Sequence, residues 1–364
     1  MKIALLGDIA LYGKYSMSNP HIFDYFKDVS EFLKSFDYVI GNFETPFVDE
    51  KCKPRLGKSA HISSSPENVE LLKYLHITHV NLANNHMYDY GRRGLDITLE
   101  LLSENNIEYF GVDGIQTFIE KDGTRLALSG FCCYSTNALS YQKKCDGKGV
   151  HVLDPSNIER VIQNNCQNGY FNIVSMHMGE EHVHYPNYDH ITMARKISDN
   201  GVPYFLYGHH PHVIQGMEKY KENYHAYSLG NFCFDDVYTK KSDSPLVKQS
   251  MENKDGLIIS LDIQQKILKN VEAISISNKD CSMVLFDGTV SAKLGEYCEL
   301  LKINEVQFRT IRREKFDVYY ASRKQSRNIA WYMKRLNLNS VIQLNNWKRN
   351  SILYSKTVKK YNSL

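Results

Sequence analysis

No uninterrupted apolar run in the 364 residues approaches the roughly 18 that a membrane-spanning helix requires. Also absent is any Cys-x-x-Cys pair. The eight cysteines are scattered at positions 52, 132, 133, 145, 166, 233, 281 and 298. That scatter excludes a zinc ribbon and the dense disulfide framework of a small secreted domain, and it predicts reduced thiols in a cytoplasm. The sequence contains no internal repeat, no low-complexity tract and no nucleic-acid recognition motif, which argues against a solenoid and against specific nucleic-acid binding.

Net charge is also scarce, at only +3, but it is unevenly spread. From Arg309 to Leu364 there are 14 Lys or Arg against two acids, Glu314 and Asp317, whereas the preceding 308 residues carry 30 against 39. The tail is therefore a different kind of segment. A hydrophobic content of 42% and an aromatic content of 12% suit a sizeable core in one large domain or two ordinary ones. Residues 1–7 resemble the start of a signal peptide, but Asp8 cuts the apolar stretch short, so the segment is read as a first buried strand.

Apolar spacing then predicts a helix from Phe23 to Phe36, a strand at Tyr38–Ile40 and a polar loop over 48–65. A helix follows through Leu75, with Ser65 as N-cap and Pro66 in its first turn. Next come a strand at Thr78–Leu82, a helix at Gly91–Asn105 and a short strand at Ile107–Phe110. Asp122-Gly123 between two β-rich runs signals a hairpin. Helices are predicted from Pro155 to about Cys166 and from Tyr188 to Asn200. Strands are predicted at Phe171–Met176, Tyr204–Tyr207 and Tyr224–Leu229, with an antiparallel pair at Leu257–Ile263 and Val271–Ile276.

The unusual polar groups sit just after strands: Asp8, Asn42 to Glu44, Asn84 to His86, His177, and the turn Gly208-His209-His210-Pro211-His212. In open α/β sheets, ligands gather at the carboxyl ends of strands. Singly, Asp8 also reads as a helix N-cap or turn residue, Asn84-Asn85-His86 as a left-handed turn, and Glu44 as a solvated loop acid. Three imidazoles in four residues are harder to explain as packing, since they repel when charged and bury polar nitrogens when neutral. A metal ion resolves both problems. Mixed Asp, Glu, Asn and His donors suit Mn, Fe or Zn, as one or two divalent ions.

The motifs Leu6-Gly7-Asp8, Gly41-Asn42-Phe43-Glu44-Thr45-Pro46, Asn81-Leu82-Ala83-Asn84-Asn85-His86, His177-Met178-Gly179-Glu180, Gly208-His209-His210-Pro211-His212 and Tyr227-Ser228-Leu229-Gly230-Asn231-Phe232 resemble, in order, those of the CapA family. These poly-γ-glutamate capsule synthesis proteins fall within the calcineurin-like metallophosphoesterase superfamily. The resemblance covers about residues 2–263. It implies an α/β protein, a four-layer α/β/β/α sandwich. It further implies metal ligation by Asp8, Glu44, Asn85, His177, His210 and His212, with His86 as acid or orienter toward a leaving group. Asn42 and His209 would assist catalysis, although counting from Gly208 would make His209 a ligand instead. Glu180, His182 and Asn231 would meet substrate. The wider superfamily has a His where Ala10 stands; the CapA branch commonly lacks it too, which implies one tight and one weak metal.

The resemblance implies a metal-dependent hydrolase or transferase acting on a precursor of an anionic envelope polymer. The alternatives are an accessory module that binds the polymer without turnover and, prompted by the basic tail, a nucleic-acid phosphoesterase. Many CapA relatives are membrane-anchored; this chain is expected to lack their N-terminal anchor and to be cytoplasmic, or peripheral at the inner membrane face. The expected organisation is a catalytic domain over 1–278, a connecting segment over 279–308 and a basic extension over 309–364. Within the extension, helical spacing from Arg323 to Leu336 places Ile329, Tyr332, Met333 and Leu336 on one stripe. That helix would either lie on an anionic membrane or pack on the core with a solvated basic face; an acidic partner subunit would use the same charge.

Overall fold

The computed structural model describes residues 1–136, 142–143, 147–239, 242–325 and 337–364. Its strands are β1 (Lys2–Ile9), β2 (Tyr38–Phe43), β3 (His79–Asn81), β4 (Glu108–Phe110), β5 (Thr117–Lys121), β6 (Thr124–Cys132), β7 (Gln142–Lys143), β8 (Val150–His151), β9 (Phe171–His177), β10 (Tyr204–His209), β11 (Met217–Tyr220), β12 (Asn223–Ala226), β13 (Asn231–Cys233), β14 (Val237–Thr239), β15 (Ser242–Val247), β16 (Asp255–Gln264), β17 (Ile267–Asn278) and β18 (Met283–Leu285). The helices are α1 (Ile22–Leu33), α2 (Val69–Tyr74), α3 (Gly91–Glu104), α4 (Pro155–Gln167), α5 (Tyr188–Ser198), α6 (Gly288–Leu300), α7 (Glu305–Gln325), α8 (Leu338–Tyr354) and α9 (Lys360–Ser363).

Two sheets carry the fold. The first runs β18-β17-β16-β1-β2-β3-β4, with β13 joined to the end of β1. Strands β1 to β4 are parallel, and β16 to β18 extend the sheet antiparallel. The second runs β11-β12-β10-β9-β6-β5, with four parallel inner strands and antiparallel edges. Both sheets are apolar on both faces, as parallel strands covered from two sides must be. Ile3 and Leu5 of β1 meet Ile173, Phe205 and Tyr207 of the second sheet in the central core. Their neighbours Ala4 and Leu6 turn the other way, toward Phe26, Val29 and Leu33 of α1. Val174, Met176 and Leu206 face outward against Ile158 of α4 and Ile191 of α5. The result is the expected helix–sheet–sheet–helix sandwich of four layers.

Most local expectations hold. Asp122 and Gly123 both take positive φ, at 50° and 72°, the geometry of a tight hairpin turn between β5 and β6. The antiparallel pair is β16–β17, longer at both ends than its apolar runs. Ser65 stands at the N-cap position, though without a side-chain cap hydrogen bond, and Pro66 opens the helical segment, first as a 3-10 turn over Pro66–Asn68 and then as α2 from Val69. Residues 279–308 contribute β18 to the first sheet and α6, whose Val290 is buried in the central core.

The tail packs on the protein. Phe308, Tyr354, Val358 and Tyr361 join Ile191, Ala194 and Ile197 in the outer core. Helix α7 starts at Glu305, well before Arg323; residues 326–336, and with them the expected apolar stripe, lie outside the described residues. No helix among the described residues is long and apolar enough to cross a membrane.

Candidate metal centre

The site lies at the carboxyl ends of the strands, on the last register row of the second sheet and the row before the last of the first. In the first sheet, Asp8 of β1 is paired with Asn42 of β2 and Asn42 with Asn81 of β3, while Asn231 of β13 flanks Asp8 on the other side. In the second, His209 of β10 is paired with His177 of β9. Strand ends therefore align the functional groups before any loop contributes. Two glycines allow the approach: a Cβ on Gly7 would lie 2.2 Å from the Gly230 carbonyl oxygen, and one on Gly208 would lie 1.9 Å from that of Tyr227. Beyond β10 the chain turns with positive φ at His210 (97°) and His212 (56°), conformations that side-chain-bearing residues adopt only when the surroundings demand it.

Asp8, Asn42, Glu44, His177 and His209 are fully buried. Asn42 Nδ2 lies 2.8 Å from Asp8 Oδ1, 3.0 Å from Glu44 Oε1 and 3.4 Å from His177 Nδ1, and Asn81 holds Asn42 in place at 2.9 Å. His209 Nδ1 and His212 Nδ1 stand 3.1 and 3.2 Å from the two Asp8 oxygens; the His209 approach is within ion-pair distance but off hydrogen-bond geometry. The His210 backbone N–H donates to Asp8 at 3.2 Å, while its ring turns toward His177, with centroids 4.8 Å apart. His177 Nε2 meets Asn85 Oδ1 at 2.8 Å, and His212 Nδ1 meets Asn231 Oδ1 at 2.9 Å. Ala10, where the superfamily has a histidine, is buried in a small apolar cluster with Ile62, Phe234 and Val237.

Donor atoms of Asp8, Glu44 and His212 all lie within 4.8 Å of one another. Glu44 Oε2, both ring nitrogens of His209 and Nδ1 of His210 are buried with no hydrogen-bond partner. Orphaned buried acceptors of this kind are costly unless something completes them. Burial would raise the Asp8 carboxyl, but the imidazoles of His209 and His212 beside it hold it well below the usual range. Burial and the neighbouring Asp8 push Glu44 well above it. His212, despite burial, is lifted to about 10 by Asp8 and Glu44, whereas burial drives His210 down to about 3 and His177 well below normal. Such a cluster, part acid and part imidazole, has donors of the kind that could hold a cation.

Beside it stands His86. Its Nδ1 is 2.7 Å from Asp89 Oδ2 and 3.2 Å from Lys58 Nζ, and Lys58 also donates to the Asn85 carbonyl at 2.8 Å. Asn84 fixes the turn, accepting from the backbone N–H groups of His86 and Met87. Burial and Lys58 lower the His86 pKa, leaving a neutral ring oriented by a carboxylate. Asp89 and Lys58 escaped the sequence reading. Asp89 lies one helical turn past His86, a spacing that was open to notice; Lys58 sits in the polar loop, and only the fold brings it here.

Of the residues expected to meet substrate, Asn231 lies in the site. His182 reaches it from the side, its ring 6.4 Å from that of His212 and bonded to Asn253. Glu180 pairs with Arg312 of α7 and accepts from Asn187.

A four-layer sandwich with Asp, Glu, Asn and His converging at its strand ends defines the metallophosphoesterase-like class. The chain belongs to the family described as bacterial capsule synthesis protein PGA_cap, whose model matches residues 2–236, and this membership supports a role in capsule synthesis. It is 31% identical over 298 residues to capsule biosynthesis protein CapA of Bacillus anthracis, covering 77% of this chain and 71% of that one. It is 30% identical over 296 residues to PGA biosynthesis protein CapA of Bacillus subtilis (strain 168), covering 77% and 76%. Among solved structures, the calcineurin-like phosphoesterase YfkN from Bacillus subtilis aligns over 83% of this chain and 97% of its own, at 12% identity and a TM-score of 0.41.

Proposed function

We propose that the protein is a metal-dependent hydrolase or transferase acting on a phosphorylated or amide-linked precursor of an anionic envelope polymer in bacterial capsule synthesis. The observation that carries this reading is the buried Asp8–Glu44–His212 cluster with its unpartnered Glu44 oxygen. These three residues would hold one ion, and Asn85, His177 and His210 a second beside it. A divalent ion such as Mn, Fe or Zn supplies Lewis-acid polarisation and a nucleophile competent at neutral pH.

The chain's own groups do the rest. Asn42, locked by Asn81, spaces the two acids. His209 flanks Asp8 and orients it. His86, held by Asp89 and Lys58, is placed to orient a departing oxygen or nitrogen by hydrogen bonding, and to hand it a proton in the fraction that is protonated. A polymer-binding accessory module is the competing reading. Metal analysis of the purified protein with Asp8→Ala and His212→Ala, followed by turnover assays with Mn, Fe and Zn, tests the proposal. Loss of metal in both variants and turnover by the wild type are expected. Wild-type metal content in both variants removes the site; metal without turnover on any candidate precursor favours the accessory module.

A further inference from the structure

Helix α8 carries Ser340, Gln343, Trp347, Asn350 and Tyr354 at three- and four-residue spacing, so they share a face. A helix that only packs turns an apolar face inward. This one presents amides, hydroxyls and an indole instead. The face lines a cavity of about 860 Å³ together with Asn85, His86 and Lys58 of the metal centre. The helix is pinned at both ends. Asn339 accepts from the Gly57 backbone N–H at 2.5 Å and donates to the Lys58 carbonyl at 3.1 Å, and the Tyr354 hydroxyl lies 3.4 Å from His190 Nε2. Its middle is uncommitted. Among the described residues, the amides of Gln343 and Asn346 have no hydrogen-bond partner, and no ring or cation covers Trp347, which is 65% exposed.

The charge of the lining narrows the ligand. Among the described lining residues Lys58 is the one lysine or arginine, and it is spent on Asp89, while Glu180 is paired with Arg312, so the lining offers a polyanion no uncommitted cation. Free side-chain amides both donate and accept, and an open indole offers a flat apolar face. A hydroxylated ring meets both demands, stacking its C–H face on the indole while its hydroxyls pair with the amides.

We propose that α8 walls a subsite for an uncharged glycosyl unit on the His86 side of the metal centre. The assignment to a substrate rests on the catalytic reading above; the binding itself does not. The test uses the full chain in a Trp331→Phe background, which leaves Trp347 as the sole indole. Its emission is followed while maltotriose, tri-N-acetylchitotriose, a galactose trimer or tetraglutamate is added, and bound metal is measured on the same samples. At least one trisaccharide is expected to give a saturable change with wild-type metal content, and tetraglutamate none. By calorimetry, Gln343→Ala and Asn346→Ala should each weaken binding five- to tenfold, and Trp347→Ala, at an exposed position, should abolish it with an unchanged melting temperature. No saturable response to any sugar, calorimetric affinity unaffected by these variants, or an equal response to tetraglutamate overturns the subsite. Sugar binding by a chain without metal would leave the subsite standing while removing the metal centre.

Discussion

Asp8 and Glu44 share one amide group: Asn42 Nδ2 is 2.8 Å from the first carboxylate and 3.0 Å from the second. The two fully buried acids are displaced in opposite directions, Asp8 downward by its histidines and Glu44 upward by burial and by Asp8 itself. Two acids so placed are suited to a cation bound between them, and without one, removing one of the two repelling buried charges costs little.

Glu44→Gln should therefore separate structure from function. In chelator the variant should be as stable as the wild type or about 1 kcal/mol more so, since its amide can take the place of a protonated carboxyl. With saturating Mn the wild type should gain about 2–4 kcal/mol by linkage, and the variant almost nothing. Urea melts with and without metal read both effects. An equal metal-dependent gain in the two proteins would remove Glu44 from the ligand set.

The pairing of His86 with Asp89 makes a second prediction. His86→Asn should keep its metal and lose about 10²- to 10⁴-fold in kcat on the true precursor, or on a generic phosphodiester if one serves as surrogate. Asp89→Asn should lose part of this, and the double variant no more than His86→Asn alone, because the two residues act as a unit. Additive losses would show that Asp89 acts independently of His86.

The site was legible in outline because its groups lie on strands. His177 and His209 end their strands and Asp8 and Asn42 stand one residue short of the ends of theirs, and β-strand alternation with short apolar runs locates strand ends in a sequence. Loop-borne contacts were not. Lys58 reaches His86 from 28 residues away through a loop that has no periodicity. Positive φ at His210 decides which imidazoles of the turn face Asp8, and spacing alone does not reveal a backbone reversal. Helix α8 went unanticipated for a physical reason: its inward face lines a cavity, so it lacks the apolar stripe by which helices are recognised.

Acid should loosen the tail. His190 of α5 is buried against Tyr354 and Cys133, and burial lowers its pKa from 6.5 to about 4. The folded value lies below the unfolded one, so the unfolded chain binds the proton first. The stability contributed is full above about pH 6.5 and is lost as pH falls toward 4, by about 3 kcal/mol at most. His190→Gln should flatten this part of the pH profile. Urea midpoints at pH 7 and pH 5 measure it, and an unchanged slope in the variant would assign the dependence to other groups, such as His79, which titrates in the same range.

The tail itself combines packing with charge, and the two are separable. Phe308 is 2% exposed, wedged in the outer core with Tyr354, Val358 and Tyr361, while Lys356, Lys359 and Lys360 point to solvent. Phe308→Ala should cost about 3–5 kcal/mol and lower the melting temperature. Changing the three lysines to Glu should leave stability within about 0.5 kcal/mol. We propose that this exposed basic face makes a peripheral contact with anionic membrane. A lysine near such a surface is worth about 1 kcal/mol, and the attraction is screened by salt. The wild type should then float with anionic but not neutral vesicles and be released in high salt, and the triple Glu variant should stay at the bottom of the gradient while remaining folded. Equal flotation of the two would place any membrane contact elsewhere; no flotation of the wild type would leave the tail as a packing element whose charge merely keeps it soluble.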